Sequence, residues 1–424
     1  MLALSGLPAA ATVSQAVDAS TATTYGATVT RGDDTDTRYQ PPRFIPDDVT
    51  APAEVLLQQL WLEENELGAY SPALVPALRE LGAALFMDGQ YADSIAAYRR
   101  AIHLLRVNEG LNTPAQAGMV KQLIEAYVEM GDYVAADDQQ RYLFRIRKHQ
   151  LAADDPEMLE AVEQLALWHR SAYLSQFDRL RFPRIVELFD LYSEAASEVE
   201  ALHGEQSRLR LPYLEGKLRT AYLLSVYPGE TELAPEDKAQ QRDNSNTSDV
   251  TRLRFNGFSK DNFRRGLAAI REMRSILEQD PQATTTELAD MLVMKGDWYQ
   301  WHQRFAQAVD MYEAAWDVVE DEPDAVNWRL ANFQNPRELP AGRVFQPGRI
   351  PVRLYYDTDV HVRFAVSRIG LARDIEILAP DRTDNQPAVT RGYKYLRSMR
   401  FRPRLEDGEV VATESVERIY NLRY

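Results

Sequence analysis

The chain has 424 residues, 45% hydrophobic, 26% charged and 10% aromatic, a balance that excludes a disordered or fibrous protein and supplies material for a sizeable core. Its 48 Lys and Arg against 64 Asp and Glu give a net charge of −16, which argues against a nucleic-acid binder, because phosphate attraction needs a basic surface. No cysteine occurs, so disulfides, thiolate metal sites and cysteine nucleophiles are excluded.

The acid is unevenly spread. From Arg343 to Tyr424 there are 15 basic and 11 acidic residues, a net of +4, which leaves 33 and 53, a net of −20, for residues 1 to 342. That split marks a module boundary near Gly342. At the other end, MLALSGLPAAATV is too short and too broken by Gly6 and Pro8 to span a bilayer. It reads as the end of a signal peptide, with small residues Ser14 and Ala16 at the cleavage position, so export is expected and no transmembrane segment is. The Thr-, Asp- and Pro-rich remainder of residues 1–50 has no apolar period and reads as a disordered leader. Its Asp33, Asp34 and Asp36 lack the loop that calcium requires and read as a solvated acidic run.

From Pro52 the text becomes helical in period. Helices are expected over about 54–66, 73–87, 91–107, 114–130, 133–150, 156–174, 183–203, 207–227, 259–279, 284–301 and 305–320. They repeat at a fixed interval: Leu81, Leu85, Gly89 and Tyr91 recur 42 positions later as Leu123, Tyr127, Gly131 and Tyr133, and Leu123 recurs as Leu165. Phe263, Ile270 and Met273 recur likewise as Phe305, Tyr312 and Ala315. On Leu78, Leu81, Gly82, Leu85, Tyr91, Ser94, Tyr98 and Ala101 the segment resembles a tetratricopeptide repeat, and on Leu292, Gly296, Tyr299, Phe305, Ala308, Tyr312 and Ala315 a second does. The 42-residue interval is similar to the longer, kinesin-light-chain type. Residues 51–335 are therefore expected to form a helical solenoid, irregular between Phe177 and Pro183 and carrying a mobile polar loop over 228–258.

The resemblance implies a concave face lined by first helices. Arg79, Phe86, Lys121, Glu125, Glu163 and Arg170 are the expected partner-binding residues of that groove; the alternative is that they are solvated surface. Trp298, Trp301, Phe305, Tyr312 and Trp316 form an aromatic stripe expected in the core between helices. The six histidines show no His-Glu-x-x-His spacing, so neither a metal site nor a cofactor is expected. No nucleophile elbow, phosphate loop or dinucleotide fingerprint occurs either, so no catalytic residue is assigned and an enzyme is not expected.

After Pro336 the period changes to two. VHVRFAVS and LARDIEILAP read as strands, Val389, Tyr393, Leu396 and Met399 as a helix face, and EVVATESVERIYNLRY as a last strand. The fold class is thus mainly α, a tetratricopeptide-like solenoid followed over 343–424 by a small α+β unit of order β-β-α-β. From Asp359 to Tyr424, and most specifically at Arg400, Phe401, Arg402 and Pro403 with Asp407 and Gly408 in the next turn, this unit resembles the TonB carboxy-terminal domain of bacterial energy transducers. The membrane anchor and proline-rich spacer of that family have no counterpart in this text, and VRLYYDTD stands where its tyrosine-proline element would be.

The resemblance implies a periplasmic location and recognition of outer-membrane receptor peptides by strand addition along an exposed edge from Val416 to Tyr424, with Glu417, Ile419 and Asn421 as contacts. Lys394, Arg397, Arg400, Arg402 and Arg404 form a basic patch. It could dock on an acidic partner, on lipid headgroups or on the chain's own acidic array, or be a solvated helix end. The expected function is an envelope adaptor accessory to TonB-dependent transport, with protein or peptide partners and no nucleic acid. The alternative is a scaffold whose TonB-like unit only caps the array.

Overall fold

In the computed structural model, residues 20–24, 27–31, 51–175, 182–227, 245–340, 344–345, 357–380 and 385–423 are described. The protein is mainly helical with a small carboxy-terminal strand region. Twelve helices among the described residues precede that region: α1 (Ala53–Leu67), α2 (Leu74–Met87), α3 (Tyr91–Glu109), α4 (Pro114–Met130), α5 (Tyr133–Gln150), α6 (Pro156–Leu174), α7 (Phe182–His203), α8 (Leu211–Ser225), α9 (Ser245–Gln279), α10 (Thr285–Trp301), α11 (Phe305–Val318) and α12 (Ala325–Phe333). Along the array each packs on its chain neighbours, as stacked hairpins do.

Local chemistry sets the helix ends. Pro114 and Pro156 occupy first-turn positions where no backbone N–H is needed, and Asp132, Asp155 and Thr284 accept bonds from the orphan amides of α5, α6 and α10. Gly89 and Gly131, the repeated glycines, both have positive φ in the turn that closes a hairpin. At the matching turn between α10 and α11 the left-handed residue is Gln303, with no glycine to signal it. The hairpins close through a glycine facing an aromatic ring. A β-carbon on Gly82 would lie 2.6 Å from the Tyr98 ring, and one on Gly296 would lie 2.5 Å from Tyr312. Ser94 Oγ donates to Gly82 O at 2.7 Å and pins the same contact.

Beyond α12, β4 (Asp357–Val366), β5 (Ala372–Ala379), α13 (Gln386–Ser398) and β9 (Thr413–Arg423) follow in β-β-α-β order. Short pieces not expected from the alternation are β3 (Arg337–Glu338) paired with β6 (Phe401–Arg402), and the hairpin of β7 (Arg404–Glu406) and β8 (Glu409–Val411). Asp407 and Gly408, both at positive φ, turn that hairpin. On β4, Val360, Val362, Phe364 and Val366 point inward, while His361 and Arg363 do not.

Two expectations need correction. The polar span 228–258 is not a loop throughout: residues 245–258 are the first turns of α9. There Phe258 meets Phe182 and Phe189 edge-on at 6.0 and 5.8 Å, a tertiary contact that outweighs the polar composition; residues 228–244 lie outside the described residues. The leader 1–50 is not without structure throughout: β1 (Ser20–Thr24) and β2 (Ala27–Arg31) form an antiparallel pair on β9, as their β-branched Thr and Val favour. Its signal-like start lies outside the described residues. The full sheet order is β1-β2-β9-β4-β5. Val360, Phe364, Leu396, Phe401 and Tyr420 of the terminal unit join one apolar cluster with residues of α6 to α10.

The ring contacts make a direct prediction. Gly296→Ala should lower the unfolding free energy by about 1–3 kcal/mol through overpacking. Gly118→Ala, in α4 with open space at its β-carbon, should raise it by about 0.5–1 kcal/mol. Denaturant unfolding of the two variants checks both signs.

Candidate functional site

The first helices α2, α4, α6 and α8 expose one face. Glu163 of α6 bonds Arg219 of α8 at 2.6 Å, which joins two first helices directly through half-buried side chains. Arg219 also donates to the Tyr192 hydroxyl at 3.3 Å. Glu215 lies one turn below Arg219 on the same face of α8. Glu215 is exposed overall, yet the array around it crowds its carboxyl and pushes its pKa up; Arg219 opposes the shift and Glu163 adds to it. On α4, Lys121 is half-buried, and its pKa is lowered by burial and by the Arg147 charge, with Glu160 and Glu157 pulling the other way.

The other expected groove residues fall on α2, α4 and α6. Arg79 is exposed, Phe86 is half-buried with Tyr91 edge-on at 5.4 Å, and Glu125 and Arg170 are half-buried. Glu215 and Arg219 escaped sequence reasoning, because the 22-residue α7 breaks the 42-residue interval by which groove positions were projected.

A polar network stitches the second helices α5 and α7 to α6. Asp137 Oδ1 accepts from Trp168 Nε1 and Arg184 Nη1, each at 2.6 Å, and its Oδ2 accepts from Arg141 Nε at 3.2 Å. Burial alone would raise the Asp137 pKa, but Arg184, Trp168 and Arg141 hold it below its ordinary value. Arg141 reaches both oxygens of Glu187 at 3.0 Å, and Arg184 Nη1 lies 3.0 Å from His169 Nδ1. Only a neutral imidazole can accept that bond. Burial, then Arg184 and Arg141, push His169 down to about 3, so the nearby Glu187 makes no ion pair with it.

The carboxy-terminal unit is joined to the last hairpin by buried polar contacts. Arg402 Nε and Nη2 reach the two oxygens of Asp297 at 2.9 and 2.6 Å, with side chains 3% and 6% exposed. Arg402 Nη1 donates to Asn332 O and Oδ1, and the Tyr312 hydroxyl donates to Asp297 Oδ1 at 3.0 Å. Gln300 Nε2 of α10 donates to Ile369 O and Phe401 O at 2.7 and 3.0 Å. Between them sits Gly370, at positive φ, where a β-carbon would meet Phe401 O at 2.0 Å. Buried Glu338 accepts from Arg418 at 2.9 Å and from the Tyr420 hydroxyl.

The five-residue basic patch therefore does not exist as such. Arg402 is inside, facing Asp297; Arg404 pairs with Glu406 at 2.7 Å; Arg400 turns back onto Ser398 O and Met399 O. Lys394 and Arg397 remain exposed on α13, with Arg397 5.8 Å from the Tyr393 ring centre.

The expected strand edge is also narrower. β9 pairs with β4 on one side, and β2 takes Tyr420 to Arg423 on the other, so among the described residues that side is open only over Thr413 to Ile419. Glu417 bonds Arg363 at 2.7 Å across the outer face, and Ile419 is 49% exposed beside His361. Asn421 pairs through its backbone with Asp359 and Thr30.

No protein-family model matches the chain, and no curated protein does. Among solved structures, BtubC (BKLC) from P. vanneervenii aligns at 14% identity over 64% of this chain and 87% of its own, with a TM-score of 0.30. Two structures of kinesin light chain nearly identical TPR-like repeats from Podosopora anserina align as well. One, a point-substituted form, gives 14% identity over 50% of this chain and 87% of its own at TM-score 0.29. The other gives 11% identity over 60% and 99% at TM-score 0.33. At such TM-scores the likeness adds nothing to the packing described above.

The buried groups carry two predictions. Arg402→Ala strands Asp297 in the interior and should destabilise the protein by about 3–5 kcal/mol, measured by denaturant unfolding. His169 and His302, the latter pushed to about 4 by burial and Arg304, are neutral when folded and take up protons when unfolded. Stability should therefore be full above pH 6.5 and fall as pH drops until each folded pKa is reached. The fully buried His169 contributes about 1.4 kcal/mol per pH unit, and the half-buried His302, screened by solvent, contributes less. His169→Gln should remove the larger contribution, seen as a shallower slope of stability between pH 6 and 4.

Proposed function

We propose that this chain is a protein-interaction scaffold of the bacterial cell envelope, working in the periplasm as an accessory to TonB-dependent outer-membrane transport. The array holds an extended segment of one partner along the face that carries Lys121, Glu125, Glu163, Arg170 and Arg219. The terminal unit adds a strand from a second partner along Thr413 to Ile419, where main-chain bonds give affinity and alternate side chains give selectivity. It does no chemistry on a substrate.

The observation that carries this reading is the ion pair by which Glu163 and Arg219 join the first helices α6 and α8 among half-buried charges. The signal-like start and the Arg400 to Pro403 and Asp407-Gly408 signature support the periplasmic and TonB-related parts. A second reading, in which the unit only caps the array, is favoured by the buried Arg402–Asp297 pair and by Leu405 and Val410 lying on Tyr312 and Phe333.

A photo-cross-linking residue placed at Lys121 or at Ser415 in the native host separates the two. Adducts with different envelope proteins at the two positions are expected. Adducts at Lys121 alone would leave the capping reading, and none at either position in folded protein would contradict the scaffold.

A further inference from the structure

The two ends of the solenoid are finished differently. At the carboxy-terminal end Tyr312, Phe333 and Val293 are covered by Leu405 and Val410 of the β7–β8 hairpin. At the amino-terminal end α1 packs on α2 through Ala53, Leu56 and Leu60, and its other faces meet solvent. There Trp61 is 64% and Leu62 60% exposed, with Leu57 and Val55 beside them. Five exposed large apolar side chains, Leu67 the last of them, on one 15-residue helix are more than a terminal repeat leaves bare, because such repeats need a polar outer face.

Charge indicates what covers them. α1 carries Glu54, Glu63, Glu64 and Glu66 and no Lys or Arg, and among the described residues only Glu64 of these has an ion pair, with Arg100 at 2.8 Å. A second copy of α1 docked antiparallel about residue 60 would bring Glu54 of each copy against Glu66 of the other, a like-charge clash twice over. The complementary surface lies elsewhere on the same chain. The outer stripe of α13 presents Tyr393, Lys394 and Arg397, in a unit of net charge +4. Lys394 and Arg397 make no ion pair among the described residues, so their charges are available to a neighbour.

We propose that the protein associates head to tail, the α1 face of one copy receiving the α13 stripe of the next. Trp61 and Leu57 pack on Tyr393 and the aliphatic stems of Lys394 and Arg397, while Glu54 and Glu66 meet the two cations at the rim. The two surfaces are different and sit on different elements, so docked head to tail each added copy leaves one α1 face and one α13 stripe free for the next.

The full chain tests this directly. Sedimentation should show an average mass that rises steadily with concentration and falls with added salt, because the rim charges are screened. Trp61→Ala should weaken association by about 30-fold, the fold-change expected of a buried aromatic anchor. Lys394→Glu with Arg397→Glu should abolish it, and mixing that variant with Glu54→Lys, Glu66→Lys protein should restore it.

Because the chain has no cysteine, a Leu62→Cys protein and a Lys394→Cys protein can be mixed and oxidised cleanly. A disulfide between the two unlike variants, with little between like ones, is expected. A strict monomer at every concentration overturns the proposal, and so does a closed dimer cross-linked through Leu62→Cys alone.

Discussion

The position of the whole carboxy-terminal unit depends on one buried contact, the two-pronged pair between Arg402 and Asp297. Taking both charges out of water is costly, and the pair is tolerable only because Asn332 and Tyr312 satisfy the remaining polar positions. A guanidinium held on two carboxylate oxygens fixes direction as well as distance. It therefore sets the register between α10 and β6, which Gln300 then holds through two backbone carbonyls and Gly370 allows by lacking a side chain. With that register fixed, the groove of the array and the open length of β9 keep a constant relation.

The array is asymmetric in how it treats charge. Between α5, α6 and α7 the buried Asp137, Arg184 and neutral His169 bond the half-exposed Arg141 and Glu187 in a closed network, which stiffens that stretch of the array. First helices carry charges that are less well compensated: the carboxyl of the exposed Glu215 is raised and the ammonium of the half-buried Lys121 is lowered, so each would gain from an opposite charge supplied from outside. A surface with that property suits a partner segment better than bulk water.

Much of the fold was legible because it rests on local periods. Helix limits followed from the 3.6-residue pattern and its caps, hairpin closure from Gly82 with Tyr98 and Gly296 with Tyr312, and β4 from the alternation of Val360, Val362, Phe364 and Val366. The interaction surfaces were less legible, because they depend on distant partners. Arg402 read as surface among Arg400 and Arg404, yet its neighbours Phe401, Pro403 and Leu405 are buried too, so no alternation marks an outer face there. Its fate is decided by an aspartate 105 residues earlier. Likewise β9 read as an edge, and only its pairing with β2, at the other end of the chain, shows that its last residues are taken.

The central claim is that array and terminal unit form one cooperative body. Native-state hydrogen exchange measures it directly, by comparing opening free energies of amides in α10 with those in β4 and β9. The account predicts that the two sets open together, at the global unfolding free energy, and shift by the same amount when denaturant is added. Strand amides that open at a much lower free energy while α10 stays protected would contradict it.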